Sequence, residues 1–235
     1  MLQWVAKGLP RPFDVNGVAT EVDGFTLDIE HAPTGEFCLI QFACRGCHRL
    51  TPGPDSSQGY KALANRLRGL YNTATKRYYL TAAPQCVVPD ASLSATIRSV
   101  KFDALYIQFY NTPSCSAANW VAGNPSYTTG SRANTAGFTY DAWSASLKGT
   151  PSAGAKLYLG LAGGPSAASS GQYINQTSSQ KLAQAYYCKS DFGGVAIWEA
   201  TYADANLYYG QQYYMWMKRV LLGASVIPSL QTCPV

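Results

Sequence analysis

The chain has 235 residues, of which 47% are hydrophobic and 13% charged. That length suits one domain, and that composition suits a packed globule and excludes intrinsic disorder, which needs high charge and few aromatics. The net charge of +5 is spread thinly over 18 Lys and Arg, so no stretch has the basic density of a nucleic-acid stripe. The 17 Tyr, 5 Trp and 8 Phe suit a chain that binds sugars or bases on ring faces, and suit a Tyr-rich core equally well.

In chain order, residues 1–10 lack the apolar core of a signal peptide. Strands are expected at 22–30, 77–83, 104–110, 157–162 and 194–198, each rich in β-branched or aromatic residues and followed by turn signals. Helices are expected between them. Residues 59–73 carry Leu63, Ala64, Leu67, Leu70 and Tyr71 on one stripe. Residues 140–147 end before Gly149, residues 177–190 open on Thr177, Ser178 and Ser179 as possible caps, and a last helix is expected over 208–222. The stretch 111–139 reads as a long loop after a strand. The apolar run 220–227 contains Gly223 and Ser225 and is too short to span a bilayer. Strand followed by helix, repeated, predicts an α/β fold with a parallel sheet. No Gly-rich phosphate loop follows any strand, so no nucleotide cofactor is expected.

Side chains alternate faces along a strand. In the first strand Phe25, Leu27 and Ile29 therefore share one face, while Thr26, Asp28 and Glu30 share the other. The second face points two carboxylates the same way. Their mutual repulsion holds the last proton more tightly, which suits a general acid near neutral pH. The plainer alternative is a strand end whose acids are solvated or salt-bridged.

The segment Asp23-Gly24-Phe25-Thr26-Leu27-Asp28-Ile29-Glu30, followed by His31, resembles the glycoside hydrolase family 18 signature Asp-Gly-x-Asp-x-Asp-x-Glu. The resemblance continues in order along the chain. Residues 78–86 (YYLTAAPQC), 102–110 (FDALYIQFY) with Asn111, 157–161 (LYLGL) and 193–198 (GGVAIW) are similar to barrel strands five to eight of the plant and fungal class III endochitinases. The resemblance implies a (β/α)8 TIM barrel of which strands four to eight are represented, as one partial catalytic domain over 1–235. Residues 1–16, with Arg11-Pro12-Phe13, resemble the segment before the fourth strand. The three preceding strands are not matched. Residues 35–58 read as an atypical insertion, since the flanks on either side rejoin into the family's strand-to-helix connection.

The resemblance implies roles residue by residue. Glu30 is the general acid/base, and Asp28 orients and polarises the substrate's 2-acetamido group. Tyr110 holds the acetamido oxygen. Gln108, Asn111 and Trp198 bind substrate, with Trp198 as an aromatic floor. The reaction implied is chitinase-type: cleavage of β-1,4 N-acetylglucosamine linkages in which the substrate's own acetamido oxygen is the nucleophile. It requires no metal and no organic cofactor. The partners implied are chitin or N-acetylglucosamine oligosaccharides, met by an extracellular monomer, with no nucleic acid and no membrane. The alternative is a non-catalytic chitin-oligosaccharide binder or an inactive relative. Thr26 stands where the family has its middle Asp. Its hydroxyl is expected to hydrogen-bond Asp28 but cannot carry charge.

Seven cysteines leave at least one unpaired within the chain. Cys86 and Cys115 match a disulfide of the class III branch, and Cys188 and Cys233 are unassigned. Cys38, Cys44 and Cys47 lie in the insertion, where Cys44-Arg45-Gly46-Cys47-His48 formally matches a haem-attachment motif without the helical pocket that haem needs. Asn175-Gln176-Thr177 is a glycosylation sequon.

Overall fold

The computed structural model describes residues 23–30 and 58–234. The insertion apart from Gln58, the haem-like motif with Cys38, and the segment around Arg11 lie outside the described residues. Five strands form one parallel sheet: β1 (Gly24–Leu27), β2 (Tyr79–Ala82), β3 (Ala104–Gln108), β4 (Lys156–Ala162) and β5 (Phe192–Trp198). Each pairs with the next strand in sequence. The expected α/β barrel-type succession is therefore the one found.

Helices cover one face of this sheet. The first, α1 (Gln58–Asn72), turns Ala64, Leu63, Leu67 and Tyr71 onto the core. Its Arg68 reaches over the sheet, donating from Nη2 to Asp103 Oδ2 at 2.6 Å and from Nε to the Lys101 carbonyl at 2.6 Å. The same Asp103 oxygen accepts from the Leu80 amide at 2.9 Å. One carboxylate thus fixes α1, β2 and the start of β3 together. Next come α2 (Ser94–Ser99), α3 (Ala117–Gly123), α4 (Tyr140–Leu147) and α5 (Gln176–Tyr186). After β5 follow α6 (Ala200–Ala205), a hairpin of β6 (Leu207–Tyr208) and β7 (Gln211–Gln212), and α7 (Tyr213–Ala224).

Strand alternation decides which residues meet these helices. Leu27, Leu80, Ala82, Leu105, Ile107, Phe109, Leu157, Leu159 and Leu161 are buried in one cluster with Trp120, Tyr140, Trp143 and Tyr186. Full burial of each such side chain contributes about 1.5–3 kcal/mol, so this face dominates the stability of the sheet. The opposite, concave face carries Thr26, Thr81, Tyr106, Gln108 and Tyr158.

Two disulfides fasten the loops. Cys86–Cys115 joins the loops that follow β2 and β3, with Cα atoms 5.8 Å apart. The Cys86 carbonyl also accepts from Thr139 Oγ1 at 2.6 Å and Trp143 Nε1 at 3.2 Å, so this loop is locked to the start of α4. Cys188–Cys233 ties the end of α5 to the C-terminal segment, which assigns the pair left open by the sequence.

Several expected boundaries shift. The β1 ladder ends at Leu27, so Asp28 and Glu30 follow the strand instead of lying within it. The loop expected at 111–139 contains α3. The N-cap of α5 is Asn175, whose side chain accepts from the Ser178 amide at 2.9 Å, in place of the Thr and Ser residues after it. The helix expected over 208–222 divides into part of the hairpin and α7, because Tyr209-Gly210 forms a two-residue turn.

Candidate active site

Parallel strands all point their C-terminal ends the same way, and α/β folds build sites at that edge. Asp28 and Glu30 leave the end of β1, Gln108 ends β3 with Tyr110 two residues on, and Trp198 ends β5. Five of the six expected site residues therefore converge on one edge of the sheet.

Gln108 joins them. Only 7% exposed, it extends over Ala83 and presents Nε2 to three acceptors: Asp28 Oδ1 at 3.1 Å, Glu30 Oε1 at 3.2 Å and the Ala83 carbonyl at 3.0 Å. The two carboxylates are thus separated by no more than two hydrogen-bond lengths at these oxygens. Partial burial raises the Asp28 pKa above the usual carboxylate value, and the Glu30 charge raises it further. Tyr110, 9% exposed, is pushed far up, first by burial and then by the Asp28 and Glu30 charges. Its phenol therefore stays protonated and is available as a donor over the whole physiological range.

Asp28, Tyr106, Gln108, Tyr110, Gly160 and Trp198 line a cavity of about 170 Å³. Trp198 is 50% exposed and offers its ring as a wall. Gly160 is required by the close approach of β4 to β3: a Cβ there would lie 2.3 Å from the Ile107 carbonyl oxygen. A larger concavity of about 700 Å³ lies on the same face, toward the strands' N-terminal ends. Its acids are engaged elsewhere, Asp23 with Lys76 at 2.8 Å and Asp103 with Arg68 at 2.6 Å, whereas Asp28 of the acid pair lines the smaller cavity.

Two expected roles look different in place. Thr26 does not reach Asp28; its Oγ1 lies 2.7 Å from Thr81 Oγ1. The reason is register: Thr26 sits opposite Thr81 in the β1–β2 ladder, so their side chains share a face side by side. Asn111 takes up a left-handed backbone (φ 65°) and accepts from the Ser169 amide at 2.6 Å. It joins the loops after β3 and β4 and does not line the cavity. Sequence reasoning passed over Tyr106, which the period of two places on the same face as Gln108, and Ala83, whose carbonyl carries no side-chain signal. Among the described residues no group of three or more His, Cys, Asp or Glu is placed to hold a metal ion, and no helix is long and apolar enough to cross a membrane.

No family model matches the chain. An "Endochitinase 2" of Coccidioides posadasii is 37% identical over 226 residues, covering 95% of this chain. Among solved structures, a chitinase from Ipomoea carnea superposes with a TM-score of 0.56 at 25% identity, covering 85% of this chain and 56% of its own. A xylanase and α-amylase inhibitor protein solved with trehalose superposes with a TM-score of 0.56 at 28% identity, covering 92% of this chain and 62% of its own. The chain spans 22% of the length of the Coccidioides relative. With the ordered strands and the acid pair after β1, these likenesses show that the chain belongs to glycoside hydrolase family 18, among its chitinase-type barrel proteins.

Proposed function

We propose that this chain carries the acid end of a chitinase-type active site and cleaves β-1,4 linkages between N-acetylglucosamine units. The observation that carries this reading is the Gln108 amide nitrogen held within hydrogen-bond reach of both Asp28 and Glu30, beside the protonated Tyr110 phenol.

In this reading Glu30 gives a proton to the glycosidic oxygen as that oxygen leaves the anomeric carbon. The acetamido oxygen of the same sugar attacks that carbon, so no protein atom becomes bonded to substrate. The acetamido N–H, now more acidic, donates to Asp28, and the Tyr110 phenol donates to the acetamido oxygen. Both act where charge develops. The Glu30 carboxylate then takes a proton from water, whose oxygen opens the cyclic intermediate with retention. Trp198 supplies a ring face for the sugar, and Asn111 holds the rim. Chitin or its oligosaccharides is the substrate class, met by an extracellular monomer. Two disulfides support an oxidising compartment.

A second reading is a binder that does not cut. Thr26 favours it, because a hydroxyl engaged by Thr81 leaves no acid behind Asp28. One assay separates the two: reporter release from an N-acetylglucosamine oligomer by the full chain and by Glu30→Gln. Release that falls by at least about a hundredfold in the variant supports the enzyme, that being the usual contribution of a general acid. Equal background in both, with oligomer binding retained, supports the binder.

A further inference from the structure

The hairpin after α6 breaks a local rule. Tyr208 pairs with Gln211, which leaves Tyr209 and Gly210 as a two-residue turn, with φ of 48° and 72°. A turn with positive φ at both central residues favours Asn-Gly, because a bulky side chain at the first position is strained. Tyr is a poor choice for the turn, and the core gains nothing from it, since Tyr209 is 83% exposed. A local rule broken without a packing gain points to function.

The ring is held rather than loose. Tyr209 packs edge-to-face on Tyr208 with centroids 4.5 Å apart, and Tyr208 packs on Trp216 at 4.9 Å. Thr177 Oγ1 donates to the Tyr208 phenol at 3.2 Å. The hairpin is also tied to the cavity. The Trp198 carbonyl accepts from the Gly163 amide at 2.6 Å, and the Gly163 carbonyl accepts from Asn206 Nδ2 at 2.8 Å. Asn206 immediately precedes β6. Through Gly163 and Asn206 the cavity's Trp198 is thus hydrogen-bonded to the start of the hairpin.

Charge narrows the occupant. Glu199 and Asp204 are the charged side chains between residues 196 and 216, and Lys218 and Arg219 follow, exposed, on α7. The charges of the two acids and the two bases offset one another, and a ring with an accessible face beside the uncharged amides of Asn206, Gln211 and Gln212 suits an uncharged sugar polymer.

We propose that Tyr209 is a stacking platform for a sugar unit of a polysaccharide that extends beyond the 170 Å³ cavity, so that the protein grips polymer as well as short oligomers. The proposal rests on the reading of the cavity as a chitin-cleaving site.

The test measures adsorption of the full chain to chitin powder in a Glu30→Gln background, where no hydrolysis complicates the partition. Tyr209→Asn is expected to weaken adsorption about fivefold to tenfold, the worth of one aromatic contact. It should also raise the thermal midpoint by about 2–4 °C as the turn strain is relieved, which shows that lost binding is not lost folding. Tyr209→Trp is expected to restore adsorption. Equal adsorption by Tyr209→Asn overturns the platform, as does a change from dimer to monomer on that substitution, which would make the hairpin a contact between copies. A Glu30-dependent chain that cleaves soluble oligomer but leaves chitin powder unbound overturns the platform and keeps the active-site reading. Tyr209-dependent adsorption by a chain that cleaves nothing does the reverse.

Discussion

Gln108→Leu removes the amide that holds the two carboxylates while keeping a side chain of similar bulk. The nitrogen carries two hydrogens for three acceptors, so about two hydrogen bonds are lost. The bond to the Ala83 carbonyl is neutral and contributes about 1 kcal/mol. The bond shared by Asp28 and Glu30 is charge-assisted, at about 1.5–3 kcal/mol when buried, and falls to about 1 kcal/mol because both carboxylates face solvent. The variant is therefore expected to lose about 2 kcal/mol at pH 7, or about 4–8 °C in thermal midpoint for a chain of this size. The sign with pH follows from which forms the amide favours. A charged acceptor makes the stronger hydrogen bond, so the amide's contribution weakens in acid. In strong acid the loss should therefore be smaller than at pH 7, while the Ala83 share remains. Thermal melts of wild type and variant at pH 7 and pH 2.5 decide the matter. A loss equal at both values would mean that Gln108 acts through packing alone, and the account of a bridged acid pair would fail.

Asp28→Asn is expected to raise the midpoint at pH 7 relative to wild type and to leave it unchanged at pH 2.5. The native pKa of Asp28 lies above its ordinary value of 3.8, so its contribution to stability is present in acid and is lost as pH rises through the native pKa. Asn escapes that loss. The same variant should lose most oligomer cleavage, and a stabilised but fully active variant would contradict the role given to Asp28. Gly160→Ala is expected to destabilise by about 3 kcal/mol or more, because its Cβ would meet the Ile107 carbonyl oxygen at 2.3 Å and force β3 and β4 apart. Circular dichroism melts read this directly, and a native midpoint would show that the strands can separate at no cost.

The acid pair was legible because it obeys period two: Thr26, Asp28 and Glu30 alternate with Phe25, Leu27 and Ile29, and the apolar set identifies its opposite. The core strands were legible for the same reason. Four things were not. Gln108 reads as one more polar residue facing the cavity, since its three acceptors come from segments up to 80 residues away, and pairing across a parallel sheet leaves no local trace. The partner of Thr26 depends on β1–β2 register, which a one-residue slip would reverse. The hairpin was hidden because residues 208–222 keep aromatic and apolar side chains at helical spacing, and a two-residue turn interrupts that spacing only briefly. Short helices such as Ser94–Ser99 carry too few turns for a periodic signal.

The spread of the site over β1, β3 and β5 has a physical cause. In a parallel barrel-type sheet, side chains at one level come from alternate strands. Asp28 follows β1, Gln108 ends β3 and Trp198 ends β5, while between them lie Ala83, just after β2, and Gly160 of β4, opposite Gln108. Large groups on odd strands need small ones between them. Gln108 reaches Asp28 by passing over Ala83 and bonding its carbonyl, a path that a larger residue at 83 would block. Gly160 likewise brings β4 close enough to β3 for the cavity to extend between Gln108 and Trp198. The proposed chemistry thus depends on two residues that carry none. A search for function confined to titratable groups finds the acids, but not the gaps that let them meet.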